Sequence, residues 1–87
     1  MSLLSPFPKA KILLIDKDNN LLQEIKRTLI KKDFTVEVAA DGEEAMAKFE
    51  EFHPHLVILD LKIPHPGGVA ILKMFKQLKP NIEVIIL

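Results

Sequence analysis

Apolar positions along the chain follow two spacings in turn, and this alternation predicts four strands separated by three helices. Runs of consecutive or every-second apolar residues, typical of strands, occupy residues 11–16, 34–38, 56–59 and 83–87. Between these runs, apolar residues recur every three or four positions, as they do on the buried face of a helix. The helical positions are Leu21, Leu22, Ile25, Leu29 and Ile30, then Ala45, Met46, Phe49 and Phe52, then Val69, Leu72, Phe75 and Leu78.

Polar residues mark where these helices begin and end. Asp18 or one of the two asparagines that follow it can cap the first helix. Asp41, with Glu44 three positions later, has the form of a capping box for the second helix. Pro54 prevents that helix from continuing, because proline lacks the backbone N–H that the next turn requires.

The regular alternation of strand and helix predicts an α/β fold, an open parallel sheet with helices on both faces. Ligands of such sheets bind beyond the carboxyl ends of the strands. Asp16 ends the first strand and Asp60 directly follows the third. A single aspartate there is usually a turn or cap residue, but two on neighbouring strands would share one crevice. Two adjacent carboxylates call for a compensating cation, for which Mg²⁺ is the best match.

Composition narrows the possible classes of protein. The chain has 87 residues, 48% of them hydrophobic, which predicts one small domain with a packed core. Twelve basic and twelve acidic residues give a net charge of zero. A surface that binds nucleic acid directly usually has a basic excess, so the composition argues against this function. No cysteine is present, which excludes disulfides and thiolate metal sites. No apolar run approaches the length of a membrane span, so we expect a soluble, cytoplasmic domain.

Three stretches of the chain resemble the receiver domain of two-component response regulators, namely KILLIDKDNNLL, FTVEVAADGEEAMAKF and PHLVILDLKIPHPGG. The resemblance covers residues 10–87 and implies a flavodoxin-like sheet with strand order 2-1-3-4, of which the fifth strand is missing from this chain. Residues 1–9 are left as an N-terminal tail, and we expect its first residues to derive from cloning. The resemblance implies a signalling module in a phosphorelay and not an enzyme.

The resemblance also implies roles for individual residues. Asp60 would accept a phosphoryl group from a phosphohistidine on a sensor histidine kinase or a phosphotransfer protein. Asp16, Asp60 and the backbone carbonyl of Lys62 would hold Mg²⁺. Pro64 and Gly68 match the proline and glycine that shape the following loop. The signal would then pass to an output domain or effector outside this chain.

Two features depart from the family pattern. The family usually has a second acid after the first, and this chain has Lys17 there. An ammonium about 4 Å from Mg²⁺ would cost on the order of 8 kcal/mol at an effective dielectric constant of about 20. Lys17 therefore points away, or weakens metal binding, or partly replaces the metal, and Asp18 is a candidate to compensate. The family's later hydroxyl and lysine residues are also absent, since this sequence ends at Leu87.

The fourth strand has apolar residues on both of its sides, and no fifth strand is predicted beside it. A bare apolar edge invites pairing with another chain. We therefore expect the 87-residue chain to form a homodimer through this strand, to exchange elements, or to aggregate.

Three other functions compete with the phosphoacceptor. A receiver-like module could serve only as a docking surface and never be phosphorylated, an alternative that Lys17 favours. Asp16 and Asp18 also fit the nucleophile and the acid/base of haloacid-dehalogenase-like phosphatases, although Asn20 stands where that family has threonine and Asp60 would be left unexplained. A flavodoxin-like cofactor domain is disfavoured, because acids replace the phosphate cradle after the first strand.

Overall fold

The computed structural model describes residues 9–87, and the predicted tail lies outside this range except for its last residue. Seven elements alternate as predicted, and the boundaries of the strands lie within one residue of the expected ones. In chain order they are β1 (Lys11–Ile15), α1 (Asn19–Lys31), β2 (Thr35–Ala39), α2 (Gly42–Phe52), β3 (Leu56–Leu59), α3 (Gly68–Leu78) and β4 (Glu83–Ile86). No helix within residues 9–87 is long and apolar enough to cross a membrane.

The strands of residues 9–87 form one sheet in the order β2-β1-β3-β4, and all three strand pairs are parallel. The predicted strand order is therefore confirmed. Ile15, the last residue of β1, pairs with Ala39 on one side and with Leu59 on the other. Three strands consequently end in register at the same edge of the sheet.

Helices cover both faces of the sheet, as predicted, because alternate residues of each strand point to opposite sides. On one face, Leu22 of α1 packs with Ile12, Leu14 and Val36 in a buried cluster. The larger cluster on the other face joins β1 and β3 to α2 and α3. Its helical members are Ala45, Phe49, Ile71 and Phe75.

The predicted caps are present, and the structure selects among the alternatives. Asp18 is the residue that caps α1, since its Oδ1 accepts a 3.1 Å hydrogen bond from the N–H of Leu21. The Oδ1 of Asp41 accepts a 2.8 Å bond from the N–H of Glu44. The Oε1 of Glu44 accepts a 2.8 Å bond from the N–H of Ala40, one residue before the N–H that bonds in a standard capping box.

The β4 strand is an edge strand that keeps apolar side chains on both faces of the sheet. Ile85 is 50% exposed and pairs with Ile58 on the α1 side. Ile86 is 43% exposed and pairs with Leu59 on the side of α2 and α3. The prediction that the fourth strand has apolar residues on both of its sides is therefore confirmed, and neither of these side chains is fully covered.

Candidate functional site

The ends of β1 and β3 bring Asp16 and Asp60 to the same edge of the sheet. The N–H of Asp60 donates a 2.8 Å hydrogen bond to the carbonyl oxygen of Ile15, the residue directly before Asp16. The N–H of Asp16 in turn donates to the carbonyl oxygen of Ala39 at 3.1 Å. Both aspartates are thus held by the last hydrogen bonds of the parallel sheet, so their backbone positions are set by three strands.

Short local hydrogen bonds orient both carboxylates. The Oδ1 of Asp16 accepts a 2.9 Å bond from the N–H of Asp18, and the Oδ1 of Asp60 accepts one of 2.9 Å from the N–H of Lys62. In residues 9–87 the Oδ2 atoms of Asp16 and Asp60 make no hydrogen bond. Asp16 is 7% exposed and Asp60 is half-buried. Each carboxylate therefore has one oxygen, Oδ2, to which no group of residues 9–87 donates a hydrogen bond, and an Oδ1 that accepts a single one.

The oxygen donors at this edge are of the type that Mg²⁺ prefers. They are few, because only two carboxylates are predicted as ligands. Mg²⁺ sites in proteins commonly use one or two carboxylates and keep several waters. Asp16 and Asp60 would supply two carboxylates, and the exposed residue Lys62 would add its backbone carbonyl. Across residues 9–87 there is no group of three or more His, Asp or Glu side chains that could hold a metal. The site therefore fits Mg²⁺ with no protein ligand to spare.

Two lysines lie close in sequence to the two aspartates and oppose part of their charge. Lys17 and Lys62, next to Asp16 and near Asp60 in the chain, are both exposed. In the described part of the chain, Lys17 forms no ion pair and no side-chain hydrogen bond. Asp18, the residue considered as a compensating acid, has one oxygen committed to the cap of α1. Asp16, Lys17, Asp18, Asp60 and Lys62, the charged residues within two positions of the two aspartates, therefore carry a summed charge of −1.

The loop after Asp60 closes tightly on α3. The N–H of Gly68 donates to the carbonyl oxygen of Leu61 at 3.2 Å. A Cβ on Gly68 would lie 2.4 Å from the Cα of Leu61, well inside van der Waals contact. Any side chain at this position would have to push the backbone next to Asp60 aside. The glycine of the motif is therefore required by a close approach of two backbone segments.

A second contact joins the same loop to the start of α2, and sequence reasoning missed it. The N–H of Gly42 donates to the carbonyl oxygen of Pro64 at 2.8 Å, and the N–H of Glu43 donates to that of His65 at 2.9 Å. These are two of the N–H groups that a helix cannot satisfy within itself. A Cβ on Gly42 would lie 2.3 Å from the carbonyl oxygen of Pro66. In the sequence, Gly42 directly after the cap residue Asp41 was the one indication that another backbone segment approaches closely at this point.

The chain belongs to the response regulator receiver domain family, whose model matches residues 12–87. Receiver domains of this family are components of two-component signalling, generally bind Mg²⁺ and are regarded as signalling modules and not as enzymes. The resemblance inferred from the three sequence stretches is confirmed. Membership of this family argues against the phosphatase and the flavodoxin-like cofactor domain.

Relatives are considerably longer than this chain. The response regulator protein GraR of Staphylococcus epidermidis is 36% identical over 77 residues, which make up 88% of this chain and 34% of that protein. The transcriptional regulatory protein TrcR of Mycobacterium tuberculosis is 36% identical over 67 residues, covering 77% of this chain and 26% of TrcR. The chain thus spans about a third or less of the length of these relatives.

Solved receiver domains share the fold. The CheY-like receiver domain protein from Methanospirillum hungatei superposes with a TM-score of 0.87 at 30% identity, covering 91% of this chain and 63% of that one. A receiver domain protein from Clostridium thermocellum gives a TM-score of 0.83 at 37% identity, covering 88% and 63%. The flavodoxin-like receiver topology is therefore confirmed, and the matched part is about two-thirds of a receiver chain.

Proposed function

We propose that this chain is a phosphoacceptor, in which Asp60 takes a phosphoryl group from a phosphohistidine on a sensor histidine kinase or phosphotransfer protein. The observation that supports this best is the register of β1 and β3, which pairs Ile15 with Leu59. Asp16 and Asp60 are the next residues in the chain, so both lie at the same edge of the sheet. Asp60 is half-buried, so it is held firmly and still reaches solvent. A shared edge with a second acid is what a phosphoacceptor needs, since the transfer depends on alignment and charge neutralisation.

The transfer is a displacement at phosphorus. The Oδ2 of Asp60 attacks the phosphorus atom, the P–N bond to the donor imidazole breaks, and the imidazole leaves with the electron pair and takes up a proton. The product is an acyl phosphate on Asp60, a covalent species of the kind that carboxylate nucleophiles form. The N–H of Lys62 holds the Oδ1 of Asp60 at 2.9 Å, which leaves the attacking oxygen in a defined direction.

Mg²⁺ is the proposed cofactor, and Asp16, Asp60 and the carbonyl oxygen of Lys62 are the residues that would hold it. When bound, the ion neutralises charge that accumulates on the transferred phosphoryl oxygens. Asp16 is suited to this role because it is buried and its Oδ1 is already fixed by the N–H of Asp18.

We assign residues 10–87 to the receiver unit and place it in the cytoplasm, where its proposed kinase partner would meet it. Phosphorylation adds nearly two negative charges beside the loop of residues 61–66. This loop is bonded to the first turn of α2, so a shift in the loop is transmitted to that helix. The readout is an output domain or effector beyond this chain, without direct contact of the receiver with nucleic acid.

The test is chemical labelling of the purified chain with acetyl phosphate and Mg²⁺, followed by intact-mass measurement and peptide mapping. We expect one phosphoryl group per chain, stable in acid, removed by hydroxylamine and located on Asp60. Asp60→Ala should remove the label, whereas Asp41→Asn, at a cap residue of another loop, should retain it. Persistence of the label in Asp60→Ala would refute the assignment.

A second candidate function, a docking module that is never phosphorylated, is favoured by one observation. Lys17 places a cation beside the proposed metal ligands, and in residues 9–87 no partner neutralises it. If this candidate is correct, the wild-type chain stays unlabelled at every Mg²⁺ concentration while Lys17→Asp becomes labelled at Asp60.

A further inference from the structure

The backbone around Lys17 is anchored on both sides. Before it, Asp16 is fixed by the sheet hydrogen bond from its N–H to the carbonyl oxygen of Ala39. After it, Asp18 donates its N–H to the Oδ1 of Asp16 at 2.9 Å and accepts the 3.1 Å capping bond from Leu21. These bonds close a tight turn around the carboxylate of Asp16. The Cα of Lys17 is therefore fixed next to the proposed metal ligands, and only its side chain can move.

The side chain of Lys17 has no structural task in the described part of the chain. It is exposed, and it forms neither an ion pair nor a hydrogen bond with any of residues 9–87. The turn of residues 16–18 uses backbone N–H groups and the side chains of Asp16 and Asp18, so it does not depend on which side chain follows Asp16. A change at Lys17 should consequently alter the charge of the site and leave the fold intact.

We propose that Lys17 determines how tightly this site holds a divalent cation. Its ammonium group repels Mg²⁺ and competes with it for the remaining oxygens of Asp16 and Asp60, which are acceptors for either cation. Two carboxylates and one carbonyl are the full set of proposed protein ligands, and no third His, Asp or Glu side chain of residues 9–87 joins them as a metal ligand to offset this competition. The inference rests on the proposed function for the location of the metal site. The wild-type site should therefore need a much higher Mg²⁺ concentration for occupancy than the same site with an acidic residue in place of Lys17.

The test is a Mg²⁺ titration of the 87-residue chain without any phosphodonor, followed by the amide NMR signals of residues 16–18 and 60–62. We expect Lys17→Asp to lower the Kd at least tenfold and Lys17→Gln to lower it by a smaller factor. Lys73→Asp, at an exposed position of α3, changes the net charge equally and should bind Mg²⁺ within twofold of the wild type. Far-UV circular dichroism and thermal unfolding without Mg²⁺ verify that all variants fold.

Equal Kd values for wild type and Lys17→Asp would overturn the proposal. An equal gain in Mg²⁺ affinity for Lys73→Asp would also overturn it, because it would indicate a general effect of net charge. Absence of saturable binding in Lys17→Asp would overturn it as well. The labelling of Asp60 is a separate measurement. An unlabelled Asp60 together with the expected change in Kd would refute the phosphoacceptor and leave the role of Lys17 standing.

Discussion

The backbone N–H of Gly42 donates a 2.8 Å hydrogen bond to the carbonyl oxygen of Pro64 and so ties α2 to the loop that follows Asp60. The close approach leaves no room for a side chain, because a Cβ on Gly42 would meet the carbonyl oxygen of Pro66 at 2.3 Å. Backbone atoms cannot move aside as the end of a long side chain can. This contact is therefore the point where the start of α2 and the predicted phosphorylation site depend on each other.

Gly42→Ala should destabilise the protein by about 1–3 kcal/mol, the usual cost of overpacking a close contact. Urea unfolding followed by circular dichroism measures this change. Gly67→Ala is the matched control, because a Cβ there meets only the carbonyl oxygen of Ile63, at 3.8 Å. Since Gly67 is the N-cap of α3, we expect this control to cost less than about 1 kcal/mol. Equal losses in the two variants would contradict the steric explanation.

The ion pair between Lys48 and Glu37 predicts a specific dependence of stability on pH. The hydrogen bond from the Nζ of Lys48 to the Oε1 of Glu37, 2.6 Å long, raises the pKa of Lys48 above its ordinary value. A raised pKa means that the folded state holds the proton more strongly than the unfolded chain does. The stabilisation is therefore complete below pH 10.5, the ordinary pKa of lysine, and is lost as the pH rises through the folded-state pKa.

Glu37→Gln should lower the pKa of Lys48, which an NMR titration of its side chain measures directly. The loss of stability at pH 7 should be small, about 0.2–1 kcal/mol, because both side chains are about one-third exposed. The difference in stability between Glu37→Gln and wild type should vanish well above pH 10.5. A difference that stays constant from pH 7 to the alkaline end would show that the charge of Lys48 is not its cause.

The exposed apolar residues of β4 predict association of the 87-residue chain. Ile85 and Ile86 are 50% and 43% exposed on opposite faces, and the hydrogen-bonding groups of an edge strand can pair with another strand. We expect light scattering to show a dimer or larger species that grows with protein concentration. Ile85→Lys should shift the protein towards monomer, whereas Thr28→Lys, at an exposed position of α1, should not. A wild-type monomer that unfolds cooperatively at high concentration would contradict this prediction.

The sequence by itself was sufficient to predict all seven elements and their arrangement as a parallel α/β sheet. Apolar spacing reports which positions are buried, and burial follows the period of the local backbone, so this information lies within a few neighbouring residues. The cap at Asp41 was predictable for the same reason, because both partners of its hydrogen bond lie within one turn. The strand order came from the resemblance to a family, since local patterns do not record which strands are neighbours.

The tertiary structure alone decided the contacts between residues that are distant in the chain. The bond between Gly42 and Pro64 exists only once β3 and α2 have packed, and no short window of sequence contains both partners. The Nδ1 of His55 accepts a hydrogen bond from the N–H of Lys11, a contact across 44 positions. Aspartates at strand ends were visible in the sequence. Their common edge depended on β1 and β3 lying side by side, because only the packed sheet brings residues 16 and 60 together.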